Sequence, residues 1–383
     1  MRIAFVTLGY TPFRTSGLDV SGERLVCVLL EAGHHVSVIA GARATITETH
    51  AHPALVIHRV PIGPSDWIGF SYRAAQLLKL LNHADSFDVA HFWDVHFAYA
   101  YSGKFLGSLQ QSFRQRLRSL NWRLDSPLSL VYRFTYYSLA RVLAETPSIR
   151  RAAGLLAGSS TTREEFINHY KAPPDRVALA RHGIDTAFFR RTDTADLLRS
   201  RLRIAKHEPV ILFAGFVTPR KGLEYLTSAL PLMHPSPRLV IVGRWRSRAY
   251  REQVLHSLGS AASQVIEAGF VPDEQMPAYY SLADVYVSPS LLEGFGLPLA
   301  EVLACETPVV TTKVGAAAEV VGPGGVLVPP RDPIALASAV SSLLKNPSLR
   351  RELGKRGREY VVSNFSIQTM LHSTLDAYER FTS

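Results

Sequence analysis

The chain has 383 residues, of which 47% are hydrophobic and 19% charged, with a formal net charge of +10 at pH 7. That length predicts two domains, each large enough to bury its own core, and the composition is that of a soluble globular protein. The basic balance favours anionic partners such as nucleoside diphosphates, acidic membrane surfaces or nucleic acid, but nucleic acid is set aside: there are no zinc spacings and no basic, aromatic-studded sheet pattern.

Short apolar runs alternate with helical patterns nearly throughout, which predicts doubly wound α/β domains. In chain order, Arg2–Leu8 reads as a first strand, with an apolar part too short for a secretory signal. A glycine-bearing loop, Gly9–Gly17, follows, then a helix from Ser21 to Ala32 ended by Gly33. Strands are expected at His35–Ala40, Leu55–Val60 and Asp88–His91, with a helix at Tyr72–Leu81. From Phe113 to Arg151 arginines (Arg114, Arg116, Arg118, Arg123, Arg133, Arg141) mix with bulky residues such as Trp122, Tyr132 and Phe134. Such a segment fits either an anionic lipid surface or a packing face with snorkelling arginines. Gly154–Ala157 and Val177–Ala180 read as strands around a helix at Thr161–Tyr170.

The polar, arginine-rich stretch Thr186–Pro209 reads as a linker, dividing the chain into domains 1–188 and 189–365. In the second half, Val210–Ala214, Leu239–Val242, Val265–Ala268, Val285–Ser288 and Pro308–Thr311 read as buried strands. Helices are expected near Leu223–Leu230, Tyr250–Leu258, Met276–Leu282, Pro298–Cys305, Pro333–Lys345 and Ser348–Val362. Two such domains predict a cleft between them, a common place for ligands. Cys27 and Cys305 lie far apart in apolar helical segments and read as small buried hydrophobes, not a disulfide or metal pair. No apolar run reaches the roughly 18 residues that span a bilayer, which with the cysteine pattern favours the cytoplasm.

The segment Glu293-Gly-Phe-Gly-Leu-Pro-Leu-Ala-Glu301 carries the chemistry. Pro298 suits the first helical position, where a missing N–H costs nothing. The turn therefore leads into a helix whose free N–H groups attract phosphate, and Gly294 and Gly296 let a ligand approach the backbone. Glu293 in the loop and Glu301 in the first helical turn each accept hydrogen bonds from hydroxyls. A diphosphate with a sugar at each end, a nucleotide-sugar, suits that layout. On spacing alone, two glutamates fit a solvated helix start better; the family resemblance carried by the residues between them decides against it.

This segment resembles the signature of glycosyltransferase family 4, the retaining nucleotide-sugar transferases of the GT-B fold. The resemblance is dense from Arg176 to Asp332 and thinner before it. It implies two Rossmann-like domains facing across a cleft, with the final helix, 366–383, crossing back to the first domain. It implies that Glu301 binds the ribose hydroxyls and that Glu293 faces the transferred sugar. Gly294, Phe295, Gly296 and Leu297 would line the donor.

Val210-Ile-Leu-Phe-Ala-Gly215-Phe-Val-Thr-Pro-Arg220-Lys221-Gly222 resembles the family's phosphate loop, in which the lysine contacts the donor diphosphate. Phe216 stands where the family has arginine, leaving Arg220 as a substitute. Gly243-Arg244 resembles the strand end bordering the nucleotide, and Phe270 and Val271 resemble the backbone segment that meets the base. Arg181-His-Gly-Ile-Asp185 resembles a structural turn closing the first domain. Gly17 matches the family's glycine loop near the donor phosphate or acceptor, although the usual glycine pair is absent. His91 reads as strand-end scaffolding and His96 as a cleft residue. Gln110 or Gln111 stands where many members have a histidine near the reacting sugar, and glutamine cannot act as a base near neutral pH.

The resulting expectation is a retaining, metal-independent glycosyltransferase. It would need no cofactor, since the nucleotide-sugar is a co-substrate, and would act on a hydroxyl acceptor (glycan, lipid-linked or small molecule), with peripheral association at the inner face of the membrane suiting a lipid-linked one. The rival reading is a non-catalytic nucleotide-sugar-binding protein. A sugar phosphorylase on the same fold would need a lysine-bound pyridoxal cofactor, and no sequence sign of one is present.

Overall fold

In the computed structural model, residues 1–13, 17–42, 46–49, 52–62, 67–118, 120 and 127–382 are described. Arg123 and Trp122 of the basic segment, and 14–16 of the glycine loop, lie outside them. The chain divides into two compact units: Met1–Arg118 with Val131–Gly183 and Ile367–Ser383, and Ser119–Leu130 with Ile184–Ser366.

The first unit is built on β1 (Arg2–Thr7), β2 (His35–Ala42), β3 (Ile46–Thr49), β4 (Leu55–Pro61), β5 (Val89–Phe92), β6 (Leu106–Leu109), β7 (Gly154–Ala157) and β8 (Val177–Leu179). They form one sheet in the order β3-β4-β2-β1-β5-β6-β7-β8. All neighbours pair parallel except β3, which runs antiparallel to β4 and which the sequence reading missed. Alternate residues of β1 enter opposite cores: Ala4 and Val6 on one face, Ile3 and Phe5 on the other. That two-sided burial is why a parallel strand reads as an unbroken apolar run.

Its helices are α1 (Gly17–Glu31), α2 (Trp67–Asp85), α3 (Phe113–Arg118), α4 (Pro127–Ala140), α5 (Thr146–Arg151) and α6 (Ser160–Glu164). At the end of α1 the His34 N–H donates to Leu29 O (3.0 Å) and the Gly33 N–H to Leu30 O (2.9 Å). Gly33 supplies the left-handed φ of 82° that this closure needs. Two π-helical turns, Arg141–Glu145 after α4 and Glu165–His169 after α6, interrupt the α-pattern.

The second unit has strands β9 (Val210–Ala214), β10 (Arg238–Val242), β11 (Val265–Gly269), β12 (Val285–Ser288), β13 (Val309–Thr312) and β14 (Gly325–Val328). They form an all-parallel sheet in the order β11-β10-β9-β12-β13-β14. Val210, Leu212 and Ala214 enter one core and Ile211 and Phe213 the other. The helices are α7 (Thr194–Arg201), α8 (Leu223–Ala229), α9 (Arg248–His256), α10 (Met276–Leu282), α11 (Leu297–Ala304), α12 (Ala317–Val321), α13 (Pro333–Lys345) and α14 (Pro347–Phe365). Caps start α13 and α14 where Asp-Pro and Asn-Pro stand: Asp332 accepts from the Ala335 N–H at 2.9 Å, and Asn346 from the Leu349 N–H at 3.0 Å. Last, α15 (Ile367–Thr382) inserts Met370, Ala377, Tyr378 and Phe381 into the core that holds Ile3 and Phe5.

The structure departs from three expectations. Thr186–Pro209 is no linker: it forms α7, and Phe189, Leu198 and Ile204 join the second unit's core. Its arginines mask an amphipathic pattern. Val265–Ala268 is a half-exposed edge strand, not a buried one. Cys27 is exposed, because it falls on the outer side of α1, whereas Cys305 is buried.

The strand ends of the second unit approach too closely for a side chain. Gly243 has φ 139°, and a Cβ there would lie 1.9 Å from the Gly215 carbonyl oxygen. Gly243→Ala is therefore expected to cost about 2–4 kcal/mol, read as a drop in the urea midpoint of unfolding.

Candidate active site

In a parallel sheet the loops at the carboxyl ends diverge where the strand order reverses, and ligands bind at that point. In the second unit this falls between β9 and β12. After β9 come Gly215, with φ 137°, a short 3-10 turn Pro219–Lys221, and the left-handed Gly222. After β12 comes the loop to Glu293. The two loops lock together: the Leu291 N–H donates to Arg220 O (2.8 Å), and Arg220 Nη1 donates to Leu292 O (3.0 Å). A Cβ on Gly222 would meet the Pro289 carbonyl oxygen at 2.2 Å. Lys221 and Gly222 therefore belong to one tight assembly with the glutamate loop.

Glu293 is 5% exposed, and its Oε1 accepts from Lys221 Nζ at 2.5 Å and from Ser290 Oγ at 2.6 Å. Burial pushes its carboxyl up, but Lys221, Arg220 and the Lys221 and Ser290 hydrogen bonds outweigh that and hold it below the usual carboxylate range. Burial pulls the Lys221 ammonium below its ordinary value, against the pull of Glu293. Glu293 takes one of the three ammonium protons, so two more point elsewhere. The glutamate loop is braced in turn: Thr312 Oγ1 donates to Ser290 O at 2.5 Å, and a Cβ on Gly315 would lie 1.8 Å from Glu293 O.

Beyond Glu293, Gly296 takes φ 93° and caps α11 with its backbone alone. Leu297 is the first helical residue and Pro298 the second, one position later than expected. Glu301 consequently lies past the first turn, where Tyr280 Oη donates to its Oε2 at 3.0 Å. Phe295 and Leu297 turn their side chains into the core, Phe295 with its ring 5.3 Å from Phe365, so the side chains themselves are not open to a ligand. At the ends of β10 and β11 the Arg244 guanidinium lies 4.3 Å over the Phe270 ring; Phe270 is 60% exposed, whereas Val271 is buried. Arg246 lies 4.3 Å over Phe216.

In the first unit the strand order reverses between β1 and β5. Gly17 is the exposed first residue of α1. Next to it, the Leu18 carbonyl accepts from Trp93 Nε1 at 3.0 Å, and Trp93 O accepts from Gln110 Nε2 at 3.1 Å. Gln110 is buried, and its Oε1 has no partner among the described residues. It borders a small cavity of about 10 Å³ shared with His91, Ser108 and His182, room for one water. Gln111, one residue on, is half-buried. His96 is buried, not lining an open surface, and its Nδ1 donates to Asp94 Oδ1 at 2.9 Å. His91 bridges Tyr378 Oη and Ser108 Oγ, and burial pushes it down to about 3, so it stays neutral. That is the scaffolding role expected of it.

The structure thus gathers Lys221, Arg220, Glu293 and Gly215 into one assembly, with Arg244 and Phe270 at the neighbouring strand ends. Ser290, Tyr280 and Arg246 were missed. Ser290 stands three residues before Glu293, a spacing at which a serine reaches a carboxylate, and Tyr280 closes the Tyr-Tyr pair of α10.

Two family models match the chain: Glycosyltransferase Family 4 over residues 15–188 and Glycosyl transferases group 1 over residues 195–360. The chain is a member of glycosyltransferase family 4. An uncharacterized glycosyltransferase of Methanocaldococcus jannaschii is 27% identical over 99% of this chain and 98% of its own length. Further curated relatives at 31–35% identity are matched over only 50–65% of their own length. The fold is that of sucrose-phosphate synthase from Thermosynechococcus elongatus (TM-score 0.81, 22% identity, 99% of this chain and 98% of that one). Anabaena HepE in complex with UDP-glucose superposes with TM-score 0.74 at 17% identity, over 99% of each chain. This glycosyltransferase therefore has the GT-B architecture of two Rossmann-like parallel-sheet domains.

The Glu293–Lys221 pair makes a stability prediction. Glu293→Leu removes the carboxylate partner of the mostly buried Lys221 ammonium and is expected to cost roughly 3 kcal/mol, with Lys221→Met milder because Arg220 and Ser290 still serve the carboxylate. A depressed carboxyl pKa contributes stability fully above the unfolded value, about pH 4, and loses it as pH falls through the lower folded value. The wild type and Glu293→Leu should therefore converge in urea midpoint as pH drops below about 4.

Proposed function

We propose that this glycosyltransferase moves a sugar from a nucleoside-diphosphate donor to a hydroxyl acceptor with retention at the anomeric carbon. The observation that carries the reading is the Lys221–Glu293–Ser290 cluster, joined by Arg220, at the switch point of the second sheet. Lys221, Arg220 and the start of α11 supply positive charge where a departing diphosphate gathers negative charge. Arg246, stacked on Phe216, places a guanidinium near the position where the family has arginine. Glu301, oriented by Tyr280, accepts from the ribose hydroxyls, and Arg244 with Phe270 borders the base. The complex of Anabaena HepE with UDP-glucose supports a donor of this class.

In the proposed reaction the bond from the anomeric carbon to the phosphate oxygen breaks, and the diphosphate leaves with the electron pair. The acceptor oxygen bonds to that carbon from the same face. Its proton passes to the β-phosphate oxygen that left, so no protein base is needed. Glu293 fixes Lys221 for the diphosphate and places negative charge beside the positive character of the sugar. Because cationic side chains do the neutralising, the reading makes transfer independent of divalent metal.

A thermal-shift panel of nucleoside diphosphates and nucleotide-sugars identifies the donor, since binding raises the melting temperature by mass action. Transfer with that donor should give the donor's anomeric configuration in the product, read by NMR coupling constants. Excess EDTA should leave the rate unchanged; a loss restored by magnesium or manganese, or an inverted product, defeats the corresponding part of the reading.

The two glutamates separate binding from transfer. Glu301→Ala should weaken nucleoside diphosphate binding by about 1.5–3 kcal/mol in calorimetry. Glu293→Gln should lower kcat while leaving that affinity nearly unchanged. Equal affinity losses in both variants would show that the roles are misassigned.

A further inference from the structure

The helical run of α4 and the π-turn after it is apolar on both sides. Its inner side is accounted for: Ala140 and Ala144 are buried in the first unit's core, with Tyr136 and Tyr137 packed against it. Its outer side is not. Val131, Tyr132, Leu139, Val142 and Leu143 are 65%, 63%, 54%, 65% and 65% exposed, and Phe134 beside them is 53% exposed. Val131, Thr135, Leu139 and Val142 follow one another at three- and four-residue steps, so they form one stripe. A helix apolar all round is ordinarily buried, and single exposed hydrophobics do not line up in this way.

The charge around the stripe has one sign. Described residues of 113–144 include Arg114, Arg116, Arg118, Arg133 and Arg141 and no aspartate or glutamate. Arg114 is paired with Glu165, while Arg118 is exposed and Arg133 and Arg141 are half-exposed. The Arg141 guanidinium lies 5.7 Å over the Tyr170 ring, and the long stem of a half-exposed arginine covers apolar surface while its charge is kept. Among the described residues no helix is long and apolar enough to cross a membrane. An apolar stripe on a segment whose described charges are all cationic, in a helix too short to span, is the arrangement that lies in a lipid interface. A second copy of the chain fits worse: a two-fold contact sets the same patch against itself and brings arginines together.

We propose that the outer face of α4 and its π-turn docks this enzyme on membranes bearing anionic phospholipid, with Val131, Tyr132, Leu139, Val142 and Leu143 entering the headgroup–acyl boundary. Docking is independent of the donor reading, because it requires no sugar and no turnover.

The test is cosedimentation of the full-length protein with vesicles of phosphatidylglycerol and phosphatidylcholine, against vesicles of phosphatidylcholine alone. The protein should pellet with the anionic vesicles and stay in the supernatant with the neutral ones. The triple substitution Val131→Asp, Leu139→Asp and Val142→Asp should weaken anionic-vesicle binding by at least about tenfold. Because these side chains are exposed, its thermal midpoint and its thermal shift with nucleoside diphosphate should match the wild type. Wild-type protein that stays in the supernatant with anionic vesicles overturns the proposal, as does a triple variant that pellets like the wild type. So does a wild-type dimer in light scattering that the triple variant dissociates without loss of vesicle binding, since the stripe would then be covered by a second copy.

Discussion

A carboxylate that is 5% exposed has to be paired, and the organisation of the second unit's site follows from that requirement. Glu293 lies in the loop after β12 and Lys221 in the turn after β9, 72 positions apart, yet the ion pair closes at 2.5 Å. It closes because β9 and β12 are neighbours in a parallel sheet whose order reverses between them, so both loops leave the same edge. The glycines then answer a steric demand. Gly222 meets Pro289 O, Gly315 meets Glu293 O and Gly243 meets Gly215 O, each at a distance that excludes a Cβ. The backbone is drawn in until the pair can form, and little of it is left to the mobility of long side chains.

Much of this was legible in the sequence, for definite reasons. Strands buried on both faces, such as Val210–Ala214 and Val285–Ser288, are unbroken apolar runs because neither side of a parallel sheet meets water. Pro333 starts a helix as expected, and the next helix starts at Pro347, one residue before the expected Ser348, because the Asn346 side chain caps it and a residue without N–H suits the first turn. The glutamate segment was legible through its resemblance to the family 4 signature, since the spacing of its two glutamates alone fits a solvated helix start. Less legible were features set by neighbours distant in sequence. The arginines of Thr186–Pro209 look like solvated linker residues, but Phe189, Leu198 and Ile204 between them find a core. Arg358 accounts for part of this: its guanidinium binds the carbonyls of Phe189 and Ala304, a tie no local pattern reveals.

The same limit applies to the polar interior of the first unit. Ser112, Phe113 and Arg114 at the start of α3 are held by two glutamates, Glu145 and Glu165, each at one end of a π-helical turn. A π-turn inserts one residue and re-aims the side chains after it. Glu145 is fully buried and accepts from the Phe113 N–H and from Tyr170 Oη, and burial pushes its carboxyl up to about 8. In the sequence these glutamates look like surface residues of amphipathic helices, because the pattern assumes an uninterrupted period of 3.6. The network also sets Phe113, whose ring lies 5.1 Å from His96. The position of His96 is therefore tied to two acids that no motif includes.

Apolar patterning has one meaning inside a sheet and another on α4. In β9 every residue is buried, and the absence of polar residues reports two cores. On α4 the same absence cannot report a second core, since Val131, Val142 and Leu143 are each 65% exposed. Leaving large apolar side chains in water costs free energy in proportion to their area. Polar residues on the outer face would remove that cost without disturbing the inner face, which packs into the first unit's core through Ala140 and Ala144. The chain instead carries aliphatic and aromatic residues there and confines its charge to arginine. Folding of the first unit does not require that choice, and the proposed docking on an anionic surface supplies a reason for it.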